Sequence, residues 1–199
     1  MKTDIELHQR RAAFGDGQLR PAKPIAPAQG LLVVFTGTGN GKSGAALNMA
    51  WRAVANQTKV GIVQFFGGSV NCADYQSFYQ NKLADFQIFG SGCSWRCEDR
   101  LADMAVVDAA WQEAVRMIND PSYGMVILDD ITVVLKHQYL SLDTVLPVLR
   151  KRRSKLHVVI AGRYAPFELT DFADIVTEMR QIKHPHPASK IPPQAGIEF

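Results

Sequence analysis

The chain has 199 residues, 47% hydrophobic and 21% charged, with a formal net charge of +3 at neutral pH. That length suits one packed domain, and the composition excludes a mainly disordered or collagen-like chain. No apolar run approaches the ~18 residues of a membrane span, residues 1–20 hold no secretory-type core, and the charge is too small to argue for nucleic acid, so a cytoplasmic protein is expected.

The chain opens on a polar segment that becomes proline-rich at Pro21, Pro24 and Pro27, which cannot continue a helix. Residues 1–29 are therefore expected to form a flexible arm or linker, residues 30–183 the α/β domain, and residues 184–199 an irregular tail. Pro185, Pro187, Pro192 and Pro193 interrupt regular structure in that tail. Within the domain, short apolar runs at 31–35, 60–66, 86–89, 125–128, 158–161 and 175–182 read as strands buried on both faces, as in a parallel sheet. Between them lie helical stripes. Ala46, Met49, Ala50, Ala53 and Val54 make one, and Leu101, Met104, Trp111, Val115 and Ile118 a second, both expected to pack into the core. Strands alternating with helices predict an open α/β sheet that binds ligands at the carboxyl ends of its strands. The basic run Arg150, Lys151, Arg152, Arg153 and Lys155 is expected to be a solvated helix end, where cations sit well against the helix dipole. Cys72, Cys93 and Cys97 form no closed disulfide framework and are expected as thiols.

Between the first strand and the first stripe stands Thr36-Gly37-Thr38-Gly39-Asn40-Gly41-Lys42-Ser43, which resembles a Walker A loop. Triphosphate oxygens need many donors at short range, and glycines let backbone N–H groups turn toward them. Lys42 adds a fixed charge, Ser43 can offer its hydroxyl to magnesium, and the following helix presents its positive end. Thr36 occupies the place of the pattern's first glycine. Met125-Val126-Ile127-Leu128 leads into Asp129 and Asp130 and resembles a Walker B strand, with Asp129 expected on the metal and Asp130 as a supporting group. The competing reading is that the two aspartates end the strand and cap the next helix.

Phosphate loop and aspartate leave the reaction open. Further segments resemble the P-loop type of ATP:corrinoid adenosyltransferase, from about residue 30 to the C-terminus. These are Gly30-Leu31-Leu32-Val33-Val34-Phe35 before the loop, Val63-Gln64-Phe65-Phe66-Gly67, Gly90-Ser91-Gly92-Cys93-Ser94-Trp95, Leu128-Asp129-Asp130-Ile131-Thr132, Ala161-Gly162-Arg163, Ala173-Asp174-Ile175-Val176-Thr177-Glu178-Met179-Arg180, Lys183-His184 and Gln194-Ala195-Gly196-Ile197-Glu198-Phe199. Threonine at the head of the loop is similar to that family's own variant.

The resemblance implies a RecA-like P-loop fold, commonly a homodimer, that binds ATP with Mg2+ or Mn2+ and a reduced corrinoid, and releases triphosphate. Co(I) would attack the ribose 5′ carbon, so no catalytic base is required. A flavin or flavodoxin-type reductant is the implied electron source, and no nucleic acid or membrane partner is implied. Lys42 and Trp95 are the expected catalytic residues. Thr36, Gly37, Thr38, Gly39, Asn40, Gly41, Lys42, Ser43, Gly44, Arg52 and Arg163 are expected at the nucleotide, Cys93 and Trp95 at the corrinoid, and Ser43, Asp129 and Asp130 at the metal. The tail is expected to close on the site. Departures from the family pattern are Cys93 for an aromatic, Asn40 for a lysine, Gly44 for a threonine, Gly67 for a lysine, Asp130 for a glutamate, and Arg96 for an acidic residue. They mark a divergent member. A P-loop hydrolase or kinase using Asp130 or Glu98, and a non-catalytic binder of ATP or corrinoid, are the alternatives.

Overall fold

The computed structural model describes residues 29–66, 73–90 and 100–184, together with 194, 196 and 197. Gly67, Cys72, Cys93, Trp95, Arg96, Cys97 and Glu98, the arm before residue 29 and most of the tail lie outside the described residues.

In chain order the elements are β1 (Leu32–Thr36), α1 (Lys42–Ala55), β2 (Val60–Gln64), α2 (Ala73–Phe78), β3 (Ala84–Ile88), α3 (Arg100–Asn119), β4 (Met125–Asp129), α4 (Ile131–Lys136), α5 (Leu142–Lys151), β5 (His157–Ala161), α6 (Phe167–Phe172) and β6 (Ile175–Glu178). The strands form one sheet in the order β3-β2-β4-β5-β1-β6, with every neighbouring pair parallel. The central strand β4 is buried at all five positions, which is why its first four residues, Met125 to Leu128, read as an unbroken apolar run before the buried Asp129.

The pleat divides the core in two. Val33, Val60, Ile62, Met125, Ile127 and Val159 pack with Ala46, Leu47, Ala50 and Val54 of α1. Leu32, Val34, Val63, Val126, Leu128, Val158 and Ile160 face the opposite layer, where Trp111, Ala114 and Ile118 of α3 and Val145 and Leu149 of α5 cover them. The strand period of two thus assigns each residue to a layer. Among the described residues no helix is long and apolar enough to cross a membrane.

Three expectations change. The last strand stops at Glu178 rather than continuing to 182. Its neighbour β1 ends at Thr36, and Met179, the residue after β6, bonds to that strand's end and to the loop beyond it, donating to the Thr36 carbonyl at 2.8 Å and accepting from Gly39 N at 2.8 Å. In α3, Leu101 and Met104 are 78% and 41% exposed, whereas the buried stripe runs through Val107, Ala110, Trp111, Ala114, Met117 and Ile118. The first turn of α3 lies beside the end of α4, where Arg100 donates to the Gln138 carbonyl at 3.5 Å and stands 5.0 Å over the Tyr139 ring.

The basic run is only partly solvated. Arg150, Lys151 and Lys155 are exposed, but Arg152 donates to the Leu149 and Gly30 carbonyls at 2.9 and 3.3 Å and pairs with Asp174 at 3.3 Å. Arg153 donates to the carbonyls of Asp120 and Tyr123 at 2.8 and 2.7 Å. Both guanidiniums staple the amino-terminal edge of the sheet, because each fork can satisfy several carbonyls that the loops leave unpaired.

Candidate nucleotide site

At the carboxyl edge of the sheet, β1 ends at Thr36 and the chain turns through 37–41 into α1. Gly41, with φ 100°, begins the helix, and no acidic residue occupies the first turn. The positive end of this 14-residue helix is thus not offset by an acidic residue of its own, which favours an anion there.

Thr36 has a task of its own. Its hydroxyl accepts from Ala165 N at 3.2 Å, and its carbonyl accepts from Met179 N. The loop's first residue thereby ties β1 to the chain after β5 and after β6, which glycine could do only through its backbone. Gly37 and Gly39 answer to the same neighbour. A Cβ on Gly37 would lie 2.2 Å from the Met179 carbonyl oxygen, and one on Gly39 would lie 2.9 Å from the Arg180 carbonyl carbon. The Gly39 amide is already donated to Met179, so these glycines admit a backbone as well as a ligand. Thr38 and Asn40 are exposed, and the Asn40 Nδ2 stands 3.2 Å from His184 Nε2.

Lys42 is buried and donates to the Gly39 carbonyl. Burial, and then the neighbouring Arg163 charge, lowers its pKa, while Asp130 and Asp129 oppose that shift. One residue on, the Ser43 hydroxyl donates to Asp129 Oδ1 at 2.9 Å. Asp129 is 2% exposed, and its carboxyl is pushed up to about 7, first by burial and second by the Asp130 charge. Asp130 is also raised by burial, against the pull of Lys42 and Arg163. It precedes α4 in a left-handed conformation (φ 60°, ψ 14°), makes no side-chain capping bond, and donates its own N–H to the Ala161 carbonyl at 2.7 Å. The two aspartates therefore separate: Asp129 meets Ser43, and Asp130 places its charge near Lys42 and Arg163.

Most of the expected nucleotide residues come together here. Gly44 has nothing within 4 Å of where its Cβ would be. Arg52 stands apart, exposed in the last turn of α1 and about 15 Å along the axis from Lys42. Cys93 and Trp95 lie outside the described residues. The structure adds Gln64, whose Nε2 donates to Asp129 Oδ2 at 3.3 Å. In sequence it stands out only as the sole polar residue of the 60–66 run. It also adds Met179 and Arg180, whose packing on the loop has no local signature.

A parallel sheet with a glycine loop between its first strand and helix, and a buried aspartate ending β4, one strand removed from β1 across β5, defines a P-loop nucleotide-binding protein of the RecA-like α/β class. The crystal structure of flagellar accessory protein FlaH from Methanocaldococcus jannaschii shares this fold, with a TM-score of 0.51 at 12% identity over 76% of this chain and 71% of that one. The chain belongs to a narrower group. Residues 28–199 match the family described as ATP:corrinoid adenosyltransferase BtuR/CobO/CobP, and on that match the protein is a member of that family. It is 37% identical to a corrinoid adenosyltransferase of Pseudomonas aeruginosa over 98% of this chain and 94% of that one. It is 36% identical to the corrinoid adenosyltransferase CobA of Salmonella typhimurium over 99% of this chain and 100% of the other, and to that of Escherichia coli K12 over 88% and 90%.

Proposed function

We propose that this protein transfers the 5′-deoxyadenosyl group of ATP to the Co(I) centre of a corrinoid and releases triphosphate. The observation that carries the reading is the Ser43–Asp129 pair beside buried Lys42 at the start of α1, in a chain of this family.

In the reaction the cobalt electron pair attacks the ribose C5′, a cobalt–carbon bond forms, and the C5′–oxygen bond breaks with its electrons leaving on triphosphate. No proton need move, so the protein's part is orientation and charge stabilisation. The loop amides of 40–43 and the end of α1 would hold the phosphates. Lys42 would exchange the Gly39 carbonyl for a phosphate oxygen, and Arg163, whose charge acts on both Lys42 and Asp130, would add the second positive charge.

A divalent cation suits the residues present. Asp129 is a buried carboxylate with no full countercharge bonded to it among the described residues, Ser43 supplies a hydroxyl, and both ligand atoms are oxygen, as Mg2+ or Mn2+ prefers. Ser43 and Asp129 would hold the ion, with Asp130 supporting it electrostatically. When bound, the cation would draw charge from the departing triphosphate.

Trp95 and Cys93 are assigned to the corrinoid on the family resemblance. A homodimer, and reduction of cobalt by a flavin or flavodoxin-type donor, belong to the same reading. The test is to incubate the protein with ATP, magnesium and chemically reduced cobalamin, following the visible spectrum and the phosphate products. A cobalt–carbon spectrum with stoichiometric triphosphate is expected. ADP and phosphate in place of triphosphate would convert the reading to hydrolysis, and ATP bound without any turnover would convert it to a binding protein.

A further inference from the structure

Strand β2 pairs with β4 so that Gln64 lies directly beside Asp129. Residues paired in this way point to the same face of a sheet, and both continue the series that contains Val60, Ile62, Met125 and Ile127 under α1. Where that face reaches the carboxyl edge, it meets the first turn of α1 and the Ser43 hydroxyl. Asp129 is thus gripped on both oxygens, by Ser43 on Oδ1 at 2.9 Å and by Gln64 on Oδ2 at 3.3 Å.

As a metal ligand Asp129 is ionised, and a carboxylate is acceptor-only, so in that state the Gln64 NH2 faces Asp129 and its carbonyl points elsewhere, as the structure has it. That oxygen, Oε1, is buried and has no hydrogen-bond partner among the described residues. Buried acceptors are rarely left unbonded because their lost hydration is not repaid, so a donor is to be expected in the working site. Magnesium keeps several of its waters when bound through one or two carboxylates and phosphate, and those waters are strong donors.

We propose that Gln64 is a positioning residue for the divalent cation: its Nε2 fixes the Asp129 carboxylate, and its Oε1 accepts a hydrogen bond from a water on the cation. This rests on the assignment of Asp129 as a metal ligand. Gln64 itself touches neither nucleotide nor ion. The same amide sits at the junction of β2, β4 and α1, so it couples the metal ligand to two strands and holds the carboxylate in one rotamer.

The test uses the full-length protein with Mn2+ as the probe. Mn2+ affinity is measured by electron paramagnetic resonance at saturating ATP, and ATP affinity by calorimetry in EDTA. Gln64→Met removes both hydrogen bonds at similar length, and Gln64→Asn keeps the amide but withdraws it by one methylene. Both are expected to weaken Mn2+ by about 10-fold or more, the usual scale for groups that orient a metal ligand, and to leave metal-free ATP affinity within about twofold of wild type. Unchanged Mn2+ affinity in both variants would overturn the role of Gln64. So would an equal loss of metal-free ATP affinity, which would make the effect one of packing. Wild-type protein that takes up no Mn2+ with ATP would instead remove the metal role of Asp129, and Gln64's role with it.

Discussion

Gly37→Ala separates two reasons for a glycine in the phosphate loop. Gly37 has φ 99°, and an L side chain in left-handed territory costs about 1–2 kcal/mol. Its Cβ would also come within 2.2 Å of the Met179 carbonyl oxygen and 2.8 Å of the Met179 nitrogen. These are backbone atoms that cannot swing aside, so the segment after β6 must retreat. Retreat breaks the Met179 bonds to Thr36 and Gly39, each worth about 1 kcal/mol net. We expect a loss near 3–4 kcal/mol in nucleotide-free protein, read by urea unfolding in EDTA. Gly44→Ala is the control. It lies in the first turn of α1 with open space at its Cβ, so alanine should add up to about 1 kcal/mol of stability. A Gly37→Ala variant within about 1 kcal/mol of wild type would show that the 179–180 segment does not constrain the loop, whatever happened to ATP affinity.

Lys42→Met should lower turnover by at least about 10²-fold, the scale of removing one charge-stabilising donor, without lowering the unfolding midpoint, because the lysine charge is held in a buried position. Arg153→Ala should cost about 2 kcal/mol, through the carbonyls of Asp120 and Tyr123 left unpaired, and leave ATP affinity unchanged by calorimetry. Asp129 predicts a pH dependence. Its carboxyl titrates near 7 in the ligand-free fold against 3.8 in an exposed chain, so the folded state holds the proton more tightly and stability falls as pH rises between them. Asp129→Asn should therefore be more stable than wild type at about pH 8 and indistinguishable at about pH 4 in EDTA melts, while losing metal-dependent ATP binding.

The strands and the loop were legible because each has a local signature, although β6, expected to be buried on both faces, lies at the sheet's edge and is exposed at all four positions. β4 is apolar from Met125 to Leu128 because helices cover both its faces, and Lys42, Ser43 and Asp129 stand in the order that a triphosphate site needs. The short helices α2, α4 and α6, six residues each, carry too few turns to show a stripe. Leu101 and Met104 share the spacing of the buried stripe, but periodicity names a face and not the length over which a partner covers it. Arg152 and Arg153 look like any helix-end cations until the carbonyls of Gly30 and Tyr123, distant in sequence, arrive beside them.

The substitution of Thr36 for the pattern's first glycine follows from this arrangement. Phosphate binding asks only that the position let the chain turn, whereas the fold asks it to hold two neighbouring segments at the carboxyl edge. The Thr36 hydroxyl takes Ala165, and its carbonyl takes Met179, so one residue anchors the chain that carries Arg163 and the chain that crosses Gly37 and Gly39. Arg163 then reaches the charge field of Lys42 and Asp130 from just beyond β5, the strand that lies between β4 and β1 in the sheet. A glycine at position 36 would keep the carbonyl bond and lose the hydroxyl one. The departure from the pattern is therefore a second point of attachment, which holds the Arg163 segment beside Lys42 and Asp130 as well as the loop proposed to bind phosphate.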